Sequence, residues 1–324
     1  MYSYSELKDK VEKAIRELSY NTEAVKLIEP VLYTISSGGK RLRPVMALMA
    51  CNLFSDSVEE AVIPATGLEI FHNFTLVHDD IMDQAPVRRK QSTVHTKWDI
   101  NQAILSGDVM AFIANECLLL IPSGFIQKVF TIYNKTAIYV CVGQQLDMDF
   151  EKRDVVTLRE YMRMIELKTA TLIAAALKIG AIIGGGGDND SDLLYEFGRN
   201  LGLAFQIQDD MLDIWGDTLV FGKTKGGDII TNKKTFPLVK AMEIASEEKL
   251  AELKKLLSDR SADPGGKVEK VISIYDQLKI RDATEACANE YIEKAFNSLE
   301  KVKVPEERKK ELNFAASSLI GREH

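Results

Sequence analysis

Two short acidic motifs, "LVHDDIMD" and "QIQDDMLD", each set three aspartates at helical spacing with no cation between them. The six residues are Asp79, Asp80, Asp83, Asp209, Asp210 and Asp213. On a helix the first and third aspartates of each motif share one face, where like charges destabilise the helix by roughly 0.2–0.5 kcal/mol. Carboxylates without histidine or cysteine partners favour hard cations, and Mg²⁺ completes its shell with water and phosphate oxygens. One such motif could be an ordinary acidic surface, but its repetition favours a diphosphate bridged to both motifs by magnesium.

Cationic residues gather in a few short segments of a chain whose formal net charge is -7. They are Lys40, Arg41 and Arg43, then Arg88, Arg89 and Lys90, then Lys168, then Lys223, Lys225, Lys233 and Lys234. Arginine binds phosphate oxygens in a bidentate manner, and lysine acts as a point charge. Any one segment could be a solvated basic turn, but together they carry enough charge for two diphosphates. The acidic balance argues against a nucleic-acid partner, which needs a broad cationic face.

The elements that must position these residues are helices. Apolar residues recur at three- and four-residue spacing nearly throughout, which predicts an all-α fold of ten or more helices. Ser57 with Glu60, and Thr157 with Glu160, fit the capping box that starts a helix. No composition shift or long linker divides the chain, so we interpret residues 1–324 as a single domain.

The cysteines and the apolar segments indicate the compartment. The cysteines are isolated, with no CxxC pair, which suits reduced thiols in a cytosolic protein. The amino terminus lacks the apolar region of a signal peptide, and the longest apolar stretches are too short for a bilayer span or contain a lysine. We therefore expect a cytoplasmic protein with no integral membrane segment.

Five segments that run from residue 38 to residue 237 together resemble the all-trans isoprenyl diphosphate synthases. They are "GGKRLRP", "LVHDDIMD" with the "RR" that follows, "GQQLD", "LKTATL", and "FQIQDDMLDIWGD" with "GKTKGGDIITNKKTFP". The resemblance implies one large helical bundle around a central pocket, and a homodimer. It also implies a magnesium-dependent prenyltransferase that joins isopentenyl diphosphate head to tail to dimethylallyl, geranyl or farnesyl diphosphate.

The resemblance assigns residues to three ligands. Asp79, Asp83 and Asp209, with Asp80, Asp210 and Asp213 nearby, would form a site for three magnesium ions, which manganese can replace. The allylic diphosphate would also contact Arg88, Lys168, Thr169, Gln206, Lys223 and Lys233. Isopentenyl diphosphate would contact Lys40, Arg43, His72 and Arg89.

The resemblance also implies a mechanism of ionisation, condensation and elimination. The backbone carbonyls of Lys168 and Thr169 and the side-chain oxygen of Gln206 would face the developing allylic cation. Metal and cationic groups would stabilise the departing diphosphate, which takes the final proton, and a closed site would keep water from the cation. No nucleophilic side chain is needed.

The chain length of the product depends on what closes the hydrophobic pocket beneath the first motif. Phe74 lies five residues before Asp79, roughly 7 Å along the helix axis, with Phe71 and Thr75 beside it. In this family a bulky aromatic there limits elongation, which disfavours long-chain products and leaves geranylgeranyl or farnesyl diphosphate, and the small Thr75 beside Phe74 favours geranylgeranyl diphosphate. Aromatic residues at helical spacing more commonly serve plain helix packing, so both interpretations stay open.

One departure from the family and three rival functions follow from the residues. "RRKQSTVH" stands where the family usually has glycine and proline after the arginines, so the loop geometry is not predicted. A P-loop is excluded because Gly216 and Gly222 are one residue too far apart. A class I terpene cyclase would not need the second set of cationic segments. A non-catalytic helical subunit would be expected to carry decayed motifs, whereas both are intact.

Overall fold

A computed structural model describes residues 1–18, 20, 23–216, 226–259 and 263–321. The first α-helices are α1 (Tyr4–Glu17), α2 (Val25–Ser36), α3 (Leu42–Phe54), α4 (Glu59–Met82), α5 (Val94–Lys97), α6 (Ile100–Leu119), α7 (Ile126–Glu151) and α8 (Leu158–Ile165). The others are α9 (Thr171–Ile183), α10 (Asp188–Trp215), α11 (Gly227–Ile230), α12 (Phe236–Ile244), α13 (Glu247–Ser258), α14 (Pro264–Gln277), α15 (Ile280–Glu300) and α16 (Glu306–Ile320). In these ranges the only strands are β1 (Val87–Arg88) and β2 (Gln91–Ser92), so the predicted all-α class is confirmed.

The chain forms two compact units. Unit 1 comprises Met1–Lys135, Ala175–Tyr195 and Lys301–Ala315, and unit 2 comprises Thr136–Ala174, Glu196–Glu300 and Ala316–His324. The first acidic motif belongs to unit 1 and the second to unit 2. That residues 1–324 act as a single domain remains a prediction.

In unit 1, α4 packs along α6, α3 and α1. Nearly every residue of α4 from Ala61 to Phe71 is buried, as expected of a helix that is apolar on all sides. A Cβ at Gly67 would lie 2.8 Å from the Cβ of Cys117, so the glycine permits the close approach of α4 and α6. The last turn of α4, beyond this core, carries the first acidic motif.

Two apolar cores lie among the described residues of unit 2, and α10 contributes to both. Leu203 and Ile207 belong to one core, and Ile214 belongs to the other. The second acidic motif lies between Ile207 and Ile214. Its helix is therefore anchored on both sides of the aspartates.

The capping predictions have different outcomes. Thr157 Oγ1 accepts a hydrogen bond from Glu160 N at 3.3 Å, and Glu160 Oε2 accepts one from Thr157 N at 2.9 Å, which confirms that box. The box at Ser57 is wrong, because the N-cap of α4 is Val58, whose side chain has no acceptor. The same S-x-x-E pattern does form a complete box at the start of α1.

Within the described ranges, α6 is long and apolar enough to cross a membrane, judged by length and composition alone. Of its apolar window, 44% is buried in the protein. A core helix of a soluble protein meets the same criteria, so α6 is weak support for a membrane span.

Candidate active site

The three aspartates of the first motif, at the end of α4, differ in exposure. Asp80 is 4% exposed, and its Oδ1 accepts a hydrogen bond from Arg88 Nε at 2.6 Å. Burial raises the pKa of the Asp80 carboxyl, and the charge of Arg88 opposes that rise. Asp79 is half-buried and Asp83 is exposed at the C-cap of α4. The middle aspartate is therefore bound to an arginine, whereas its two neighbours are more accessible.

Arg88 and Arg89 lie on a β-hairpin that the sequence did not predict. β1 pairs with β2 across a two-residue turn, in which Arg89 and Lys90 have φ values of 51° and 63°. Two successive positive φ values are typical of a type I′ turn, which normally takes Asn-Gly because most residues with a Cβ, unlike asparagine, are strained there. Arg89 Nη1 donates to the carbonyl of Gly38 at 2.6 Å, so the turn contacts the "GGKRLRP" segment.

Arg41 of that segment belongs to the interior and not to the set of accessible cations. Its guanidinium is fully buried and donates to Glu12 at 2.8 Å, to Glu69 at 3.0 Å and to the carbonyl of Ile35 at 2.6 Å. Glu69 Oε1 also accepts a hydrogen bond from Asn73 Nδ2 at 3.2 Å. The buried Glu69 carboxylate, on α4, is thus a counter-ion for the basic segment. The sequence analysis missed this residue.

Of the four residues predicted to bind isopentenyl diphosphate, three interact electrostatically with one another. Arg43 Nε is buried and has no hydrogen-bond partner in the part of the chain that the structure describes. Burial lowers the pKa of Arg43 to about 10, Glu69 opposes the fall and Arg89 adds to it. Burial, followed by the charges of Arg43 and Arg89, lowers the pKa of His72 well below its ordinary value, so the imidazole is neutral near pH 7. Lys40, the fourth, is exposed.

The second motif also buries its middle aspartate, but the groups that donate hydrogen bonds to it are neutral. Asp210 is 6% exposed, and its Oδ2 accepts hydrogen bonds from Tyr161 Oη and, at 2.8 Å, from Phe236 N. Its Oδ1 accepts a hydrogen bond from Gln206 Nε2 at 3.0 Å. Burial raises the pKa of Asp210 to about 7, although the hydrogen bonds from Tyr161 and Phe236 oppose the rise. Both oxygens of Asp210 are therefore engaged inside the protein.

The outer aspartates of the second motif are half-buried. Asp213 Oδ2 accepts a hydrogen bond from Asp228 N at 3.0 Å, and the Asp213 carbonyl accepts one from Gly226 N at 2.8 Å. These two bonds attach the start of α11 to the end of the motif. Asp209, one residue before Asp210, is more accessible than that buried neighbour.

Lys168 and Thr169 lie in a π-helical turn, Glu166–Ala170, between α8 and α9. Lys168 Nζ pairs with Asp147 Oδ2 at 2.6 Å, and Thr169 Oγ1 donates to Gln206 Oε1 at 3.0 Å. Such wide turns occur frequently at functional sites. The structure thus brings Lys168, Thr169 and Gln206 together, and it adds Asp147, the last residue of the "GQQLD" segment.

The lysines after the second motif are only partly described. Lys223 lies outside the described residues. Lys233 is half-buried, and its backbone N donates to the carbonyl of Asp228 at 2.9 Å. Lys234 is 8% exposed, and burial lowers its pKa.

The predicted chain-length residues belong to an aromatic cluster in unit 1. Phe71 is 2% exposed, and its ring centroid lies 5.5 Å from that of Phe74 and 5.4 Å from that of Tyr133. The half-buried Phe74 ring stands edge to face with His78 at 4.9 Å. Thr75 Oγ1 instead donates to the His72 carbonyl at 2.8 Å. The sequence analysis missed Tyr133, which is distant along the chain, and His78, one helical turn after Phe74.

No group of three or more His, Cys, Asp or Glu side chains in the described part of the chain is arranged to hold a metal ion. The donor set around each motif consists of carboxylate oxygens, which suit a hard divalent cation. Mg²⁺ is commonly held by one or two carboxylates together with waters and phosphate oxygens, so it needs no cage of protein ligands. The accessible aspartates therefore fit a cation that is shared with a phosphate ligand.

The family model described as polyprenyl synthetase matches residues 24–275. The chain belongs to the polyprenyl synthetase family. The predicted resemblance, helical fold and prenyltransferase activity are confirmed by this match and by the similar proteins. The family uses divalent metal ions.

The similarity of this polyprenyl synthetase to known proteins extends over most or all of its length. It is 40% identical over 283 residues to the geranylgeranyl diphosphate synthase of Sulfolobus acidocaldarius, covering 86% of this chain and 84% of that one. A crystal structure of a geranylgeranyl pyrophosphate synthase has a TM-score of 0.94 with 38% identity, over 100% of both chains. The polyprenyl synthase of Caulobacter crescentus, solved in complex with calcium and isoprenyl diphosphate, has a TM-score of 0.85 with 28% identity, covering 98% of this chain and 96% of that one.

Proposed function

We propose that this synthetase condenses isopentenyl diphosphate head to tail with an allylic diphosphate and releases geranylgeranyl diphosphate. The observation that carries the proposal is a shared feature of the two acidic motifs. In each, the middle aspartate is buried and hydrogen-bonded, and the first is more accessible. Relatives named as geranylgeranyl diphosphate synthases support the product.

We assign three magnesium ions, which manganese can replace, to the accessible carboxylates. In unit 1 these are Asp79 and Asp83, and in unit 2 they are Asp209 and Asp213. Asp80 and Asp210 support them, because their oxygens already accept hydrogen bonds from the protein. When bound, the metal ions stabilise the negative charge on the departing diphosphate. The relative that was solved with calcium and an isoprenyl diphosphate supports a divalent cation.

Isopentenyl diphosphate is bound by the basic group of unit 1. The buried Arg43 Nε is a donor for which the described chain provides no acceptor, so a diphosphate oxygen would satisfy it. Arg89 and Lys40 add charge at the rim, and the neutral His72 can donate one hydrogen bond without adding a further cation. Glu69 lowers the cost of placing these cations together.

The allylic diphosphate is bound by Arg88, Lys168, Lys223 and Lys233. Asp147 fixes the Lys168 ammonium at 2.6 Å. Gln206 donates its Nε2 hydrogen to Asp210, which leaves its Oε1 directed to Thr169 and available to the allylic cation. Together with the carbonyls of Lys168 and Thr169, this oxygen stabilises positive charge as a preorganised dipole.

Phe74 limits the chain length of the product. Its ring is half-buried and is held in place by Phe71 on one side and His78 on the other. A residue held between two rings cannot easily turn aside for a growing chain. Phe71, at 2% exposure, supports Phe74 from the core.

Product analysis tests the function. The protein is incubated with Mg²⁺, labelled isopentenyl diphosphate and dimethylallyl, geranyl or farnesyl diphosphate, alongside Phe74→Ala and the control Phe314→Ala, whose ring is 69% exposed. We expect geranylgeranyl diphosphate from the wild type and the control, and longer products from Phe74→Ala. A longer wild-type product would contradict the role of Phe74. Cyclic hydrocarbons would favour a terpene cyclase, and no condensation with any primer would overturn the proposal.

We propose that the chain is a homodimer that associates through α6. Leu105, Phe112 and Leu119 are spaced seven residues apart on this helix and are 57%, 68% and 51% exposed. That spacing forms an apolar stripe that suits packing against the same helix of a second copy. Light scattering should show a dimer for the wild type and for Phe314→Glu, and a monomer for Phe112→Glu. A monomeric wild type would contradict this proposal. Cytoplasmic location remains our expectation.

A further inference from the structure

The π-helical turn Glu166–Ala170 is contacted by two glycines from neighbouring helices of unit 2. A Cβ at Gly143 of α7 would lie 2.7 Å from Lys168 Cα and 2.8 Å from the carbonyl carbon of Leu167. A Cβ at Gly202 of α10 would lie 2.6 Å from Ala170 Cα. Real Cβ atoms essentially never approach other atoms closer than 3.0 Å. Only glycine therefore permits these two helices to lie against the turn.

Backbone conformation does not require either glycine. Gly143 and Gly202 lie within α7 and α10, and neither has a positive φ. Glycine inside a helix is unfavourable relative to alanine because it costs more conformational entropy on folding. The close approach to the turn accounts for glycine at both positions.

Each glycine is followed four residues later by a polar residue that contacts the same turn. Asp147 follows Gly143 on α7, and its carboxylate pairs with Lys168 Nζ at 2.6 Å. Gln206 follows Gly202 on α10, and its Oε1 accepts a hydrogen bond from Thr169 at 3.0 Å. Residues four apart share one helical face, so each helix presents a glycine and a polar side chain to the turn together.

We propose that Gly143 and Gly202 are positioning residues for the prenyl transfer reaction. Each lets its helix approach closely, and Asp147 or Gln206 then fixes the side chain that the turn presents. The two contacts together hold the carbonyls of Lys168 and Thr169 at the distance at which they stabilise the allylic cation. This inference rests on the proposed function, and it concerns the geometry of the turn and not the binding of either diphosphate.

If the turn moves, we expect a larger fraction of the allylic cation to react with water and a smaller fraction to condense with isopentenyl diphosphate. Ionisation breaks the carbon–oxygen bond of the allylic diphosphate, and the cation then forms a carbon–carbon bond with the double bond of isopentenyl diphosphate. The new cation loses a proton to the released diphosphate, which restores a double bond. If water adds instead, the cation takes a lone pair of the water oxygen, a proton is lost, and an allylic alcohol is released with diphosphate. A displaced turn stabilises the cation less and admits water.

The test compares Gly143→Ala and Gly202→Ala with Gly187→Ala, where no atom lies within 4 Å of an added Cβ. We expect kcat to fall about 100-fold in the first two variants, since a displacement of about 1 Å can have that effect. The KM for each diphosphate should stay within about threefold, and the fraction of allylic alcohol should rise. The control should match the wild type. A merely structural role would lower the folded fraction without changing the alcohol fraction.

A double variant covers the case in which an alanine prevents folding. An added Cβ at position 202 would lie 2.8 Å from the Ala170 Cβ, so Ala170→Gly removes that part of the clash. G202A/A170G should fold, as judged by near-UV circular dichroism, and should still release more alcohol than Ala170→Gly alone. Wild-type kcat and partition in a folded Gly202→Ala or in the double variant would overturn the inference. A wild type that condenses nothing would instead overturn the proposed function.

Discussion

Asp80 in unit 1 and Asp210 in unit 2 hold the same position in the two acidic motifs, and each is buried beside more accessible aspartates. Asp80 is bound by the guanidinium of Arg88, eight residues along the chain. Asp210 accepts hydrogen bonds from Tyr161, Gln206 and the backbone of Phe236, which are neutral. An ionised carboxylate next to an arginine keeps its charge, whereas one among neutral donors does so less readily.

The two motifs therefore repeat the same residues, but corresponding aspartates do not have the same hydrogen-bond partners. In both motifs the middle aspartate connects the motif to another segment. Asp80 holds the β-hairpin that carries Arg89, and Asp210 holds Gln206 together with the start of α12. We assign the first aspartate of each motif, which is more accessible than the middle one, to the metal. The following predictions test this division, from the largest expected effect to the smallest.

Replacing the first aspartate of either motif should abolish most activity. We expect Asp79→Asn and Asp209→Asn to lower kcat/KM on the order of a thousandfold, since a metal contributes several kcal/mol and each ~1.4 kcal/mol is a factor of ten. Thermal unfolding should change little. Steady-state assays with the exposed Asp276→Asn as control check this prediction. Near-normal activity in either variant would break the assignment.

Removing the middle carboxylate should lower the unfolding free energy by different amounts in the two motifs. Asp210→Asn leaves a buried donor facing another donor, because both Asp210 oxygens accept hydrogen bonds, and we expect a loss of about 1–3 kcal/mol of unfolding free energy. Asp80→Asn keeps an oxygen for Arg88, which is partly solvated, and should lose about 1 kcal/mol. Chemical denaturation measures both. Equal losses of unfolding free energy would show that the different partners of Asp80 and Asp210 do not affect stability.

Removing the Tyr161 hydroxyl tests the neutral partner by itself. Tyr161→Phe deletes one donor to Asp210 and should lower the unfolding free energy by about 1–2 kcal/mol. Tyr275→Phe is the matched control, because Tyr275 is equally buried, at 1% exposure, and belongs to the other apolar core of unit 2. Denaturation curves for the two variants should differ. Similar curves would mean that the Tyr161 hydroxyl contributes nothing to the motif.

The smallest effect concerns the start of α8, the helix that carries Tyr161. Arg153 and the Thr157 cap lower the pKa of Glu160 from 4.5 to about 2. Because the folded value lies below the unfolded one, the stabilisation is present above about pH 4.5 and is lost as the pH falls towards 2. Glu160→Gln keeps a capping side chain and should be slightly less stable than wild type at pH 6. Denaturation at pH 6 and near pH 2 measures the difference, and one that persists near pH 2 would contradict this origin.

Much of the fold and of the site followed from the sequence, because helical periodicity fixes which residues share a face. The positions of both motifs on helices and the Thr157 cap depend on spacing alone, whereas the grouping of Lys168, Thr169 and Gln206 came from the family resemblance. What spacing cannot give is contact between distant segments. Tyr161 reaches Asp210 across 49 residues, and no local pattern marks it.

Two failures of the sequence analysis have physical reasons. The type I′ turn at Arg89 and Lys90 contradicts local preference, because residues with a Cβ disfavour positive φ, so tertiary contacts such as that of Arg89 with Gly38 must hold it. Arg41 was counted with the cations that could serve the diphosphates, but Glu12 and Glu69, far apart along the chain, hold its charge inside the protein. In both cases the conformation or burial of the residue depends on partners that are distant along the chain and that only the fold brings near.

The most direct test of the account is a magnesium titration of allylic diphosphate binding by calorimetry. It compares Asp79→Asn and Asp209→Asn with their immediate neighbours, Asp80→Asn and Asp210→Asn. We expect the magnesium concentration for half-maximal binding to rise at least about tenfold in the first pair, which is ~1.4 kcal/mol of metal binding, and to stay within about twofold in the second. An equal rise in both pairs would show that the middle aspartates bind the metal, and would contradict the account.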